Sequence, residues 1–177
     1  FTGVVRPAAR TACEVTRNGR IGIIGTPATI RSGSYEKAIQ KLHPEMTAFG
    51  QACPLFVHLV ENGYTDFHNP VTRLVAEEYR EPVGKAGVET LILGCTHYPV
   101  IRDIIADYMG PDVQLISSGA EAAKYARRCL EEQDLLTDRQ TAGENTYYVS
   151  DSTEMFIENA GHFLHRNVVG KVFRCNF

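Results

Sequence analysis

No two cysteines in this 177-residue chain are spaced as CxxC, and the five present, Cys13, Cys53, Cys95, Cys129 and Cys175, are odd in number and widely scattered. That pattern argues against a disulfide framework and against a structural zinc site, so no metal is expected. An excess of basic charge is also lacking. The formal net charge is -3 and charged residues make up 22%, which leaves no electrostatic footprint for DNA or RNA. Long hydrophobic runs are missing too: nothing approaches the roughly 18 to 20 apolar residues of a membrane span, and the first residues lack the charged and apolar regions of a signal peptide. The expectation is a soluble, cytoplasmic protein with no nucleic-acid and no membrane partner. The chain opens on FTGVVRPAAR without an initiating methionine, so a removed leader or membership of a longer protein is expected.

What is present is enough apolar material, 44% of residues, for a real core in one domain or a tight pair of lobes. Residues 1–5 read as a strand and residues 8–17 as a helix ending at Asn18-Gly19. Residues 21–24 form a short continuous apolar run closed by glycine, the pattern of a strand buried on both faces of a parallel sheet. A polar loop, GTPATIRSG, follows, and then a helix over SYEKAIQKL that Ser34 could cap. Further strands are predicted near residues 46–52, 88–93, 113–116, 146–149 and 168–175. Helices are predicted after Pro54, after Asn69-Pro70 with Val71, Leu74, Val75 and Tyr79 on the apolar face, and over residues 99–108, 119–132 and 152–164. Strands alternating with helical patterns indicate an α/β fold, a mostly parallel sheet with flanking helices.

Two segments echo each other: IGIIGTPATIRSGSYEKAI and TLILGCTHYPVIRDII both run apolar strand, glycine, threonine-bearing loop, helix. Loops at the carboxyl ends of parallel strands are where ligands bind, so the two should converge on one ligand. In the second, Gly94 ends the strand and permits an irregular turn or close approach by a ligand, while Pro99 suits a first helical position. Cys95, Thr96 and His97 then stand at a helix N-terminus. Free N–H groups there attract an anion such as a carboxylate. The same field, with an imidazolium nearby, is expected to lower the Cys95 thiol from about 8.5 toward neutrality. Such a thiol serves as a nucleophile or as a proton-transfer base, and the residues alone leave both open.

GCTHYP after an apolar strand resembles the second catalytic-cysteine motif of the glutamate racemases, in the aspartate/glutamate racemase superfamily. IGIIGTPATIRSGSYE resembles that family's glycine-threonine loop, QACPLFVHLVENG its alanine-cysteine-proline helix, and FTGVVRPAA the opening of its second domain. The resemblance implies a cofactor-independent racemase that interconverts L- and D-glutamate between two thiols and supplies D-glutamate for peptidoglycan. Cys95 matches the second thiol, His97 a residue that assists it, and Glu61 a carboxylate near that histidine. Thr96 with His97, and Thr26 with Thr29, match substrate-contacting positions.

The resemblance further implies that residues 1–115 form the second racemase domain, a complete lobe, and that 116–177 form the C-terminal part of the first, incomplete here. The family's aspartate-serine-glycine turn and its Cys-Asn-Thr motif have no counterpart in the chain, which is therefore expected to be inactive alone. Ser117 stands where the family commonly has an acidic residue.

Plainer roles compete with each assignment. His97 could cap the following helix, Thr26 and Thr29 could be turn and cap residues, and Glu61 a solvated charge. Cys53 is expected to be a packed structural cysteine, and His58 and His68 surface residues. Alternative functions are a racemase for another acidic or hydantoin substrate, or a truncated non-catalytic binding module whose orphan strands pair with another copy as a homodimer.

Overall fold

The computed structural model describes residues 1–164 and 167–176. The chain divides into two compact units, Phe1–Leu135 and Leu136–Phe177. In the first, β1 (Arg20–Gly25), β2 (Thr47–Ala52), β3 (Thr90–Leu93) and β4 (Gln114–Ser117) form a parallel sheet in the order β2-β1-β3-β4. Helix α1 (Val5–Val15) precedes β1, and α2 (Pro27–Ser32) and α3 (Ser34–Leu42) lead to β2. Helices α4 (Leu55–Glu61) and α5 (Pro70–Lys85) lead to β3, α6 (Arg102–Met109) to β4, and α7 (Ser118–Glu132) follows. The α/β class with a parallel sheet is as the sequence indicates.

Residues 21–25 of β1 and all of β3 are buried, which is why these central strands read as unbroken apolar runs. One side of the sheet packs Ile21, Ile23, Ile92 and Ile116 against Ala8, Ala9 and Ala12 of α1 and Tyr35 and Ile39 of α3. On the other side, Ile24 and Leu91 share an apolar crevice with Phe56 of α4, Ala76 and Val83 of α5 and Ile105 of α6. Each fully buried Ile or Leu contributes about 1.5–3 kcal/mol relative to exposure.

Four local expectations are corrected. Residues 1–5 form no strand: helix α1 begins at Val5, because Pro7 fits a first helical turn and the small alanines make a close-packing helical face. The loop after β1 contains helix α2, capped by Thr26 with Pro27 at its first position. Ser34 caps nothing, since Gly33 at φ +61° is the junction between α2 and α3, a left-handed conformation that suits glycine. On α5 the buried residues are Thr72, Val75, Ala76 and Val83, while Val71 and Leu74 are exposed. Asn69 caps this helix, and the Thr72 hydroxyl donates to the Tyr64 carbonyl at 2.6 Å, so its phase turns a threonine inward.

The second unit holds β5 (Tyr147–Val149), α8 (Thr153–Leu164) and β6 (Val172–Arg174), with β5 and β6 paired in parallel and Tyr147 opposite Val172.

At the carboxyl edge of the first sheet, a Cβ on Gly94 would lie 2.9 Å from the Ile24 carbonyl oxygen and 3.2 Å from the Tyr35 ring. The glycine therefore serves strand and ring packing. Gly94→Ala is expected to destabilise the chain by about 1–3 kcal/mol, as overpacking against backbone does. Urea unfolding checks this, and an unchanged midpoint would remove the packing argument.

Candidate active site

Ile24 of β1 stands opposite Leu93 of the parallel neighbour β3, so the loops that follow leave the sheet side by side. The Gly94 N–H extends the ladder by donating to the Ile24 carbonyl at 2.8 Å, and the Cys53 N–H does the same to Gly25 at 2.9 Å. Gly25-Thr26, Cys53-Pro54 and Gly94-Cys95 thus line one edge. The echo between the two glycine-threonine segments corresponds to this adjacency.

Within the second loop, the Cys95 sulfur lies 3.7 Å from Nδ1 of His97, and the Thr96 hydroxyl lies 3.3 Å from the same nitrogen. The other ring nitrogen, Nε2, is 3.1 Å from Oε1 of Glu61 at the end of α4. A carboxylate only accepts, so Nε2 carries the proton in this pair; in the neutral ring Nδ1 is then an acceptor facing the thiol. The imidazole is mostly buried, at 20% exposure, and Glu61 is at 42%. The structure therefore joins Cys95, Thr96, His97 and Glu61 in one hydrogen-bonded chain.

The thiol does not follow the expectation of a lowered pKa. Burial pushes Cys95 above the ordinary cysteine value, while the backbone N–H groups of His97, Tyr98 and Thr96 and the Thr96 hydroxyl pull the other way. Only a 3-10 turn, Tyr98–Ile101, follows directly, ahead of α6. A short turn offers a few convergent N–H groups without the dipole of a long helix, and desolvation outweighs them.

Thr26 and Thr29 bond each other: their hydroxyl oxygens are 3.1 Å apart, and the Thr29 N–H donates to the Thr26 side chain at 3.3 Å. The capping geometry thus holds for Thr26, at the edge next to Cys95. Ser117 caps α7 by accepting from the Ala120 N–H at 3.4 Å. Cys53 is fully buried and burial drives its thiol far up, as a packed cysteine should behave. His58 and His68 are exposed. Among the described residues no group of three or more His, Cys, Asp or Glu is placed to hold a metal ion, and no helix is long and apolar enough to cross a membrane.

Residues 1–126 match the family model described as Asp/Glu/Hydantoin racemase. The chain belongs to this racemase family. It is 44% identical over 162 residues to a glutamate racemase of Geobacter metallireducens, a match covering 92% of this chain and 59% of that protein. It is 41% identical over 167 residues to a glutamate racemase of Syntrophus aciditrophicus, covering 94% and 61%. Among solved structures, glutamate racemase isoform RacE1 from Bacillus anthracis matches with a TM-score of 0.91 at 33% identity, over 99% of this chain and 64% of that one. The Francisella tularensis glutamate racemase in complex with D-glutamate matches with a TM-score of 0.85 at 31% identity, over 98% and 62%. The chain spans about three fifths of the length of the curated relatives it matches, 59% and 61% for these two.

In this racemase chain two supports of the cysteine loop escaped the sequence reading. Tyr98 is fully buried and its hydroxyl donates to the Cys53 carbonyl at 2.8 Å, tying the GCTHYP loop to the start of α4. Ser118 donates to the Leu93 carbonyl at 2.8 Å from the first residue of α7. The one signal for Tyr98 was an aromatic inside a polar loop; Ser118 gave none.

The Glu61–His97 pair carries a prediction for the racemase loop. Glu61→Gln is expected to cost under about 1 kcal/mol of stability, as an exposed ion pair would, yet to release the His97 ring from a single tautomer. Ring-nitrogen NMR shifts of His97 read this: an unaltered tautomer pattern in the variant would mean that Glu61 does not orient the ring.

Proposed function

We propose that this chain supplies one of the two acid/base thiols of a cofactor-independent glutamate racemase, with Cys95 as that thiol. The observation that carries the reading is the line Cys95 Sγ, His97 Nδ1, His97 Nε2, Glu61 Oε1, with separations of 3.7 and 3.1 Å, at a sheet edge shared with Thr26. The names of the relatives, glutamate racemases throughout those compared, favour glutamate as substrate.

Proton transfer then proceeds in balanced steps. His97, its Nε2–H held by Glu61, takes the Cys95 proton on Nδ1, leaving a thiolate and an imidazolium paired with the carboxylate. The thiolate takes the α-proton of glutamate; the C–H electron pair stays on carbon and spreads into the substrate carboxylate. A proton delivered to the opposite face completes inversion, and one delivered back to the same face gives exchange only. Hydroxyls of Thr26, Thr29 and Thr96 and the loop N–H groups are the donors to the carboxylate, where charge accumulates.

The same reading carries the domain assignment, residues 1–115 as the family's second lobe and 116–177 as the C-terminal part of its first. It also carries the cellular role, D-glutamate for peptidoglycan in the cytoplasm. The deciding experiment incubates the isolated chain with glutamate, aspartate or a hydantoin in D2O and follows both α-hydrogen loss and chirality. Glutamate exchange without interconversion of enantiomers is expected. Turnover comparable to that of intact racemases would overturn the one-thiol reading, and exchange of aspartate or hydantoin alone would replace the substrate.

A further inference from the structure

Two side chains compete to donate to Nδ1 of His97. The Thr96 hydroxyl lies 3.3 Å from that nitrogen and the Cys95 sulfur 3.7 Å from it. The far side of the ring sets the tautomer: Nε2 is 3.1 Å from Oε1 of Glu61, and a carboxylate can only accept. In the neutral ring Nδ1 therefore offers a single in-plane lone pair to both neighbours. A hydroxyl is a good donor and a thiol a weak one, and here the hydroxyl is also the nearer. With nothing bound, Thr96 holds the nitrogen and the thiol keeps its proton. Thr96 is exposed, while the His97 side chain is only 20% exposed, so an anion arriving from solvent meets the hydroxyl before the ring.

We propose that Thr96 gates the Cys95 thiol: in the unliganded chain its hydroxyl occupies Nδ1 of His97, and a substrate carboxylate that accepts the same hydroxyl proton releases the nitrogen to the sulfur. Thr96 has one hydroxyl proton to donate. A charged acceptor takes it in preference to a neutral ring nitrogen, because hydrogen bonds to ionised groups are about twice as strong. Nδ1 then receives the Cys95 proton: the S–H bond breaks with its electron pair left on sulfur, the N–H bond forms, and the resulting imidazolium faces the Glu61 carboxylate at Nε2. The thiolate thus forms when a carboxylate is seated, and the empty site keeps its sulfur protonated. That the carboxylate belongs to glutamate rests on the racemase reading above; the competition for Nδ1 rests on the loop geometry alone.

The test is the rate of Cys95 alkylation by iodoacetamide at neutral pH, read by mass spectrometry of the Cys95 peptide, in the full chain and in Thr96→Val, Thr96→Ser, His97→Ala and the Thr96→Val, His97→Ala double variant. Valine keeps the shape of threonine and removes the donor, so without any ligand Thr96→Val should be alkylated about three- to tenfold faster than the native chain, the weight of one hydrogen bond. Thr96→Ser keeps the hydroxyl and should match the native rate. The double variant should match His97→Ala, since no nitrogen is left to contest. Acceleration by valine that survives the loss of His97 would mean that Thr96 merely shields the sulfur, and unchanged or slower alkylation of Thr96→Val would mean that its hydroxyl does not withhold the base; either overturns the proposal. A second arm adds glutamate to the native chain and follows the His97 ring nitrogens by NMR, which should pass from the neutral to the doubly protonated ring as glutamate binds. Glutamate that shifts the Thr96 signals yet leaves His97 neutral would overturn the gate. Glutamate that shifts no signal removes the racemase reading, and the alkylation series then decides the competition for Nδ1 by itself.

Discussion

Serine in place of Cys95 is expected to reduce α-hydrogen exchange of glutamate by about 10²–10⁴-fold, the range a positioned acid/base group supplies. Serine keeps the size and the hydrogen-bonding role of the residue, so the fold should stand. A hydroxyl, however, cannot form an anion at accessible pH, and a weak base cannot take the α-proton. The native thiol fixes the sign of the pH dependence. Burial holds Cys95 above the ordinary cysteine value, so the thiolate is scarce at neutral pH, and exchange should climb as pH rises through a point above about 8.5. The histidine beside it, 3.7 Å away, provides the acceptor that makes a thiolate reachable below that point. Isotope exchange measured by proton NMR in native and Cys95→Ser chains settles the matter; residual exchange within tenfold of native would assign the base to another group.

The parts of the fold that the sequence makes legible are those whose burial is symmetrical. β1 and β3 are buried on both faces, so their apolar runs identify them without reference to any neighbour. Helix α2 is not legible in the sequence because its six residues, with one proline and one threonine, carry no apolar period. Its existence depends on the Thr26 cap and on Gly33 turning left-handed. The first residues misled in the opposite sense: two valines suggested a strand, but the alanine face of α1 fits against Ile21 and Ile23. At the site, adjacency of the Thr26 and Cys95 loops was readable from the repeated pattern. The Glu61–His97 contact spans 36 positions and was reachable only through the family resemblance. The raised Cys95 thiol could not be read at all, because desolvation depends on side chains from several elements packed around the loop.

Tyr98→Ala is expected to be the most damaging single change in the first unit, at about 3–5 kcal/mol, the usual cost of deleting a fully buried aromatic. Tyr98 is fully buried, meets Phe56 edge-on with ring centroids 5.4 Å apart, and donates its hydroxyl to the Cys53 carbonyl at 2.8 Å. Removing the ring leaves a cavity between the cysteine loop and α4. Phenylalanine at the same position separates the two contributions. It fills the space and loses only the hydrogen bond, about 1 kcal/mol, since the Cys53 carbonyl keeps a longer contact of 3.4 Å from the Phe56 N–H. The two variants should therefore differ by at least about 2 kcal/mol in urea unfolding, against a total that for domains of this kind is about 5–15 kcal/mol. The functional consequence follows from position. Tyr98 is the third residue after Cys95 and is packed under its loop, so Tyr98→Ala should also let solvent reach Cys95 and speed its alkylation, whereas Tyr98→Phe should not. Equal unfolding midpoints for the two variants would show that the loop is held by its hydrogen bond and not by the packed ring.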